Sequence, residues 1–178
     1  MANRAILIFY AVGLSSFAMG CLIGPAGLRS EPADTRTSLE NELFNLKSTL
    51  PGDELLGYGI GSNQNDSLAD VQADLLAMQM LVLEIKSYIW YCHRLVQANT
   101  ADPVISKPEI EETLIVGMEV RFNYKIVPTM FKKVYSSDGK WYVAKVVEIN
   151  RYDHLRGLFQ ARSSDEIESI IEKLRQLE

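Results

Sequence analysis

Apolar positions along the chain fall into distinct rhythms, and each predicts a different element. From Ala5 to Leu28 they run on without a charge. Leu39, Leu43, Leu46 and Leu50 recur at steps of 4, 3 and 4, which places them on one face of a helix. Thr37 with Glu40 forms a capping box for that helix, and Pro51-Gly52 ends it. The longest pattern is Leu68, Val71, Leu75, Met78, Val82, Ile85, Ile89, Cys92 and Val96, at alternating steps of 3 and 4. That period predicts a long amphipathic helix with an apolar seam, started by Asp66 or Ser67 and stopped near Asn99. Leu81, Tyr88 and Leu95 widen the seam, while Leu76, Leu83 and Trp90 lie on another face. So much apolar surface reads as the spine of a domain, with self-association through Leu68–Val96 as the alternative.

In the C-terminal half the period becomes two. Met118, Val120, Phe122, Tyr124 and Ile126 alternate with polar residues and predict a half-buried strand. Met130–Tyr135 predicts a second strand, Asp138-Gly139 a hairpin turn, and Lys140–Asn150 a strand in the middle of the sheet. Leu155–Ala161 is expected to add a short fourth strand. Ser163 with Glu166 caps a final helix whose buried stripe is Ile167, Ile170, Ile171, Leu174 and Leu177. Two stretches, Pro51–Asn65 and Ala101–Glu112, lack a rhythm and are expected to be loop and linker.

The expected fold class is α+β. An N-terminal membrane-anchor helix leads to a long amphipathic helix, a three- to four-stranded antiparallel sheet and a C-terminal helix, with the helices on one face of the sheet. By residue, 1–28 is the anchor or signal, 29–36 a polar linker, and 37–178 a single domain. Its helical part is 37–99 and its sheet plus helix 113–178.

The front of the chain admits three readings. As a helix, Ala5–Leu28 reaches about 36 Å and spans a bilayer. Ser16, Gly20 and Gly24 then form a small-residue stripe along it. Phe17-Ala18-Met19-Gly20-Cys21 resembles a bacterial lipobox, which makes Cys21 the lipidation candidate after Arg4 and an apolar core. Cleavage after Ala18-x-Gly20 is the third reading. The first is favoured because Leu22, Ile23 and Leu28 carry the apolar run past the cysteine. The domain is expected outside the cytoplasm, held at a membrane.

Charge and chemistry add little to that frame. The net charge of −5 is uneven, because Thr113 to Arg162 carries nine basic and four acidic residues. Two cysteines, Cys21 and Cys92, argue against a disulfide framework. Gly57-Tyr58-Gly59-Ile60-Gly61 lacks the Lys-Ser or Lys-Thr of a phosphate loop. Cys92-His93 and Asp153-His154 are the one conceivable metal set, and neighbouring helical residues point about 100° apart, so no metal and no cofactor is expected. No nucleophile elbow or zinc-protease motif is present. Glu111-Glu112 and Asp165-Glu166 are explained by a linker and a helix first turn, so the chain is read as non-catalytic.

Asp138-Gly139-Lys140-Trp141-Tyr142 and the apolar strand after it resemble the closing hairpin of small extracytoplasmic NTF2-like domains. The same hairpin followed by a capped helix is also similar to HicB-type folds. The resemblance implies an α+β fold and, for the first, a small-ligand pocket between helix and sheet; neither brings a catalytic motif.

A membrane-anchored binding or assembly domain that contacts a protein partner in an envelope complex is therefore expected. The alternatives are a small-ligand carrier and an anionic-surface binder. The latter would use a basic sheet face of Arg121, Lys125, Lys132, Lys133 and Lys145, near Phe131, Tyr135, Trp141 and Tyr142. The anchor disfavours nucleic acid as the partner.

Overall fold

The computed structural model describes residues 33–119 and 128–178. Eight elements follow in order: α1 (Ala33–Thr49), β1 (Glu54–Asn63), α2 (Asp66–Ala98), α3 (Pro108–Gly117), β2 (Met130–Tyr135), β3 (Trp141–Asn150), α4 (Arg151–Leu158) and α5 (Ser164–Leu177). The class is α+β, with an antiparallel sheet ordered β1-β3-β2. Of the expected strand over 118–126, Met118 caps the C-terminus of α3 and Glu119 continues that turn instead of starting a strand, while 120–126 and the anchor Ala5–Leu28, with Cys21, lie outside the described residues. Among the described residues no helix is long and apolar enough to cross a membrane.

The sequence places β3 in the centre, and its burial explains why. Tyr142, Val143, Ala144, Val146 and Val147 are all buried, so both faces are covered. Leu39 and Leu43 of α1 cover Tyr142, Ala144 and Val146 on one face, together with Leu56 of β1. α2 covers the other face, with Ala69 and Ala73 against Val143 and Leu81 and Ile85 against Leu55 and Val147. The helices thus lie on both faces rather than one. The reason is that β3 is apolar at odd and even positions alike, and a single layer would leave one set wet.

Several boundaries differ from expectation. The polar linker is shorter, since α1 begins at Ala33. Ala101–Glu112 contains the first turns of α3, started by Pro108 at its first position with Glu109 and Glu111 in its first turn. Leu155–Ala161 forms no strand. Asn150 caps α4 instead, accepting from the Tyr152 and Asp153 amides. The cap of α2 is Asn65, one residue before the expected Asp66 or Ser67. The turn between β2 and β3 and the Ser163 cap of α5 are as expected, with Gly139 at φ 79°.

The largest departure is Pro51–Asn65. The expected loop is β1, paired along its whole length with β3 from Glu54↔Asn150 to Asn63↔Trp141. Glycine disfavours a strand, yet here the absent side chains are what the packing uses. A Cβ on Gly57 would land on the Ala77 carbonyl oxygen and 2.6 Å from the Leu81 Cβ. One on Gly59 would strike the Ala73 carbonyl oxygen, and one on Gly61 the Ala69 carbonyl oxygen. Two residues of strand advance about 6.7 Å and four residues of helix about 6 Å. Three alternate glycines therefore stay in step with Ala69, Ala73 and Ala77, and the helix backbone rests directly on the strand.

Candidate interaction surface

The close seat on β1 decides which side of α2 is left outside. The helix reaches the strand through its alanines, so the larger side chains of its N-terminal half cannot also face inward. Leu68, Val71, Leu75 and Leu76 are exposed there, Leu75 at 60%. The seam expected to be continuous is therefore split. Its second half, Ile85, Ile89, Cys92 and Val96, is buried as expected. Its first half is not, because Ala69, Ala73, Ala77 and Leu81 take the inward place. The buried stripe advances by four residues per step and so winds around the helix. On the outer side Leu83 (58% exposed) and Trp90 (55%) continue the apolar band past Gln79 and Lys86.

This band has no covering element among the described residues, and six half-exposed apolar side chains along it offer on the order of 600 Å². That is the upper end of what a monomer normally leaves open, and such patches are commonly binding sites. Arg94 lies over the Trp90 ring at 5.5 Å and holds the indole against the helix. Toward its C-terminal end α2 also makes polar contacts with α3: His93 Nε2 lies 3.0 Å from Glu111 Oε1, and the Gln97 amide donates to the same oxygen.

The basic residues expected to form one sheet face are placed otherwise. Arg121 and Lys125 lie outside the described residues. Lys132 points to the α1 side, where its Nζ donates to Glu42 Oε2 at 2.6 Å. Lys133 and Lys145 point to the α2 side. Lys133 bonds Asp66 at 2.6 Å and sits over the Trp141 ring. Lys145 is only 7% exposed and lies between Asp70 (3.0 Å) and Asp74 (2.8 Å). Burial pushes its ammonium down, but the two carboxylates outweigh that and raise its pKa. Each of these three lysines is thus matched by an acid of a packed helix.

Along Gly57, Gly59 and Gly61 the α2 backbone rests on β1 and leaves no room between them. An open hollow of about 310 Å³ lies instead on the other face, lined by Thr35, Ser38, Leu39, Lys132 and Val134. Among the described residues no three His, Cys, Asp or Glu side chains converge to hold a metal. Cys92 is inside the core, where burial pushes its thiol up to about 12.

A polar cluster not expected from sequence joins α5 to α2 and the sheet. Glu178 accepts from the Tyr88 and Tyr152 hydroxyls at 3.0 Å each and pairs with Arg151 at 2.8 Å. Arg151 also reaches Asp53 at 3.0 Å. It lies over the Tyr88 and Tyr152 rings, so it packs as well as pairs. These contacts tie the C-terminal end of α5 to α2 and α4, although Arg151 Nε within the cluster has no hydrogen-bond partner among the described residues.

Comparison with family models, with curated proteins and with solved structures finds no match to this chain.

Proposed function

We propose that this protein is a non-catalytic assembly domain, held at a membrane by Ala5–Leu28, that binds a protein partner through the outer face of α2. The observation that carries the reading is the exposed apolar band Leu68–Leu75–Leu76–Leu83–Trp90 on an otherwise well-packed helix. Leaving it wet costs solubility, while covering it with another protein removes apolar area from water at about 25 cal/mol per Å². Two further features support a binding role over a chemical one. Glu178 is engaged by Arg151, Tyr88 and Tyr152, and the buried Cys92 thiol is held in its unreactive form.

The test places a cysteine at Leu83 in the full chain and measures its labelling by a membrane-impermeant maleimide. Protection in native membranes that is lost on dispersal in detergent is the expected outcome. Equal labelling in both states means the face is bare in the cell, and the proposal fails.

A further inference from the structure

The outer face of α2 carries an internal symmetry, and it says what the partner is. Its apolar residues form two stripes with a spacing of seven: Leu68, Leu75 and Val82 on one side, Leu76, Leu83 and Trp90 on the other. Gln72, Gln79 and Lys86 run between them. Reversing the helix about Gln79 exchanges the two stripes. Leu68 takes the place of Trp90, Leu75 that of Leu83, and Leu76 that of Val82. Gln72 and Lys86 trade places, and Gln79 maps onto itself. A two-fold antiparallel helix pair asks this of one surface, since each residue must fit what its own sequence presents from the opposite end.

We propose, building on the assembly reading above, that α2 docks on α2 of a second copy of this chain, antiparallel, with the two-fold axis at Gln79. Apolar side chains then meet apolar side chains along about 33 Å of helix from Leu68 to Trp90. Gln79 meets Gln79 of the second copy, where two amides donate and accept in turn. Each Lys86 ammonium lies near the other copy's Gln72, so like charges are kept apart. A parallel pair would instead set Lys86 against Lys86. The five exposed apolar side chains of these stripes, with half-buried Val82 at their edge, offer on the order of 500 Å² from each copy, so the pair buries about 1,000 Å², the least expected of a specific interface. The glycine–alanine seat of α2 on β1 is what frees these side chains to face a second copy.

Cysteine cross-linking of the full chain tests the register. In a Cys21→Ser background, Gln79→Cys is expected to shift to twice the monomer mass on mild oxidation. Gln72→Cys and Lys86→Cys are each expected to stay monomeric alone, their counterparts being about 21 Å apart in the pair, and to cross-link when mixed. All three positions are exposed on α2, Gln72 also accepting from the Ser62 amide at 3.2 Å, and circular dichroism verifies that each variant keeps the fold. A monomeric Gln79→Cys, or homotypic cross-links at Gln72 and Lys86, overturns the antiparallel pair. If Gln79→Cys stays monomeric while a cysteine at Leu83 is protected in membranes, the face belongs to a different protein and the assembly reading survives. If Leu83 is unprotected too, both fail.

Discussion

Gly59→Ala adds one methyl group and probes the contact on which the fold is built. The new Cβ would lie 2.6 Å from the Ala77 amide nitrogen and 2.7 Å from the Leu76 Cβ, and closer still to the Ala73 carbonyl oxygen. Ordinary contact needs about 3.5–4 Å. Two of the three obstacles are backbone atoms of α2, which cannot rotate away, so the helix must lift off the strand by about 1 Å. That lift opens the neighbouring contacts of Gly57 and Gly61 as well. Overpacking costs about 1–3 kcal/mol where side chains can yield, so the upper end, about 3 kcal/mol, is expected here. For a domain of this size that lowers Tm by about 6–12 °C. Removing the Ala73 methyl group in a Gly59→Ala/Ala73→Gly double variant brings no rescue, because the clash is with a carbonyl oxygen. Gly157→Ala is the control: it lies within α4 with nothing inside 4 Å of the new methyl, and a gain of about 0.5–1 kcal/mol is expected. Urea titration followed by circular dichroism measures all four. A Gly59→Ala variant within about 0.5 kcal/mol of the parent would refute the close seat of α2 on β1.

Two more outcomes follow from buried charge. Asp70→Asn with Asp74→Asn strands the Lys145 ammonium and is expected to cost about 3–5 kcal/mol. Adding Lys145→Met removes the stranded charge and recovers most of that, and a triple variant no more stable than the double contradicts the ion-pair account. His154 is buried on α4, its Nε2 has no protein partner, and burial holds its pKa below the ordinary 6.5. Between the folded value and 6.5 the unfolded chain holds a proton that the folded chain refuses. Its contribution is therefore intact above 6.5 and is lost as pH falls through that window, by at most about 1.4 kcal/mol per pH unit. His154→Leu should flatten the urea midpoint over that range; parallel curves for parent and variant would count against it.

Where the rhythm of apolar residues was carried by large side chains, it was readable. Leu39 and Leu43 of α1, Ile85, Ile89, Cys92 and Val96 of α2, Tyr142–Val147 of β3 and Ile170, Ile171 and Leu174 of α5 are buried as their spacing predicts. Where burial is carried by the absence of side chains, hydrophobic periodicity is silent. Gly57, Gly59 and Gly61 fall in the expected loop, and Ala69, Ala73 and Ala77 lie outside the expected Leu68–Val96 seam. The signal was present as two small-residue repeats of matching pitch, two residues on a strand and four on a helix, but neither has meaning without the other. Leu155–Ala161 failed for a different reason. A short apolar run suits helix or strand alike, and the Asn150 cap chose helix.

The surface was less legible than the core. Lys132, Lys133 and Lys145 read as a positive strip, and only folding brought Glu42, Asp66, Asp70 and Asp74 against them. Those pairs span 67 to 90 residues of sequence in the cases of Asp66–Lys133 and Glu42–Lys132, beyond the reach of any local pattern.

The sequence by itself determined that there is a long helix, a central apolar strand and a capped last helix, because local period and capping chemistry act within a few residues. It could not say which side of the long helix is core. Leucine and valine outbid alanine on any hydrophobicity scale, so the heptad seam pointed to the wrong face of the first half. Tertiary packing decided otherwise, since a glycine-bare strand gains more contact from a helix that can come close than from one held off by leucine. By turning the small residues inward, that choice placed the large ones outside and left exposed what the seam marked as core.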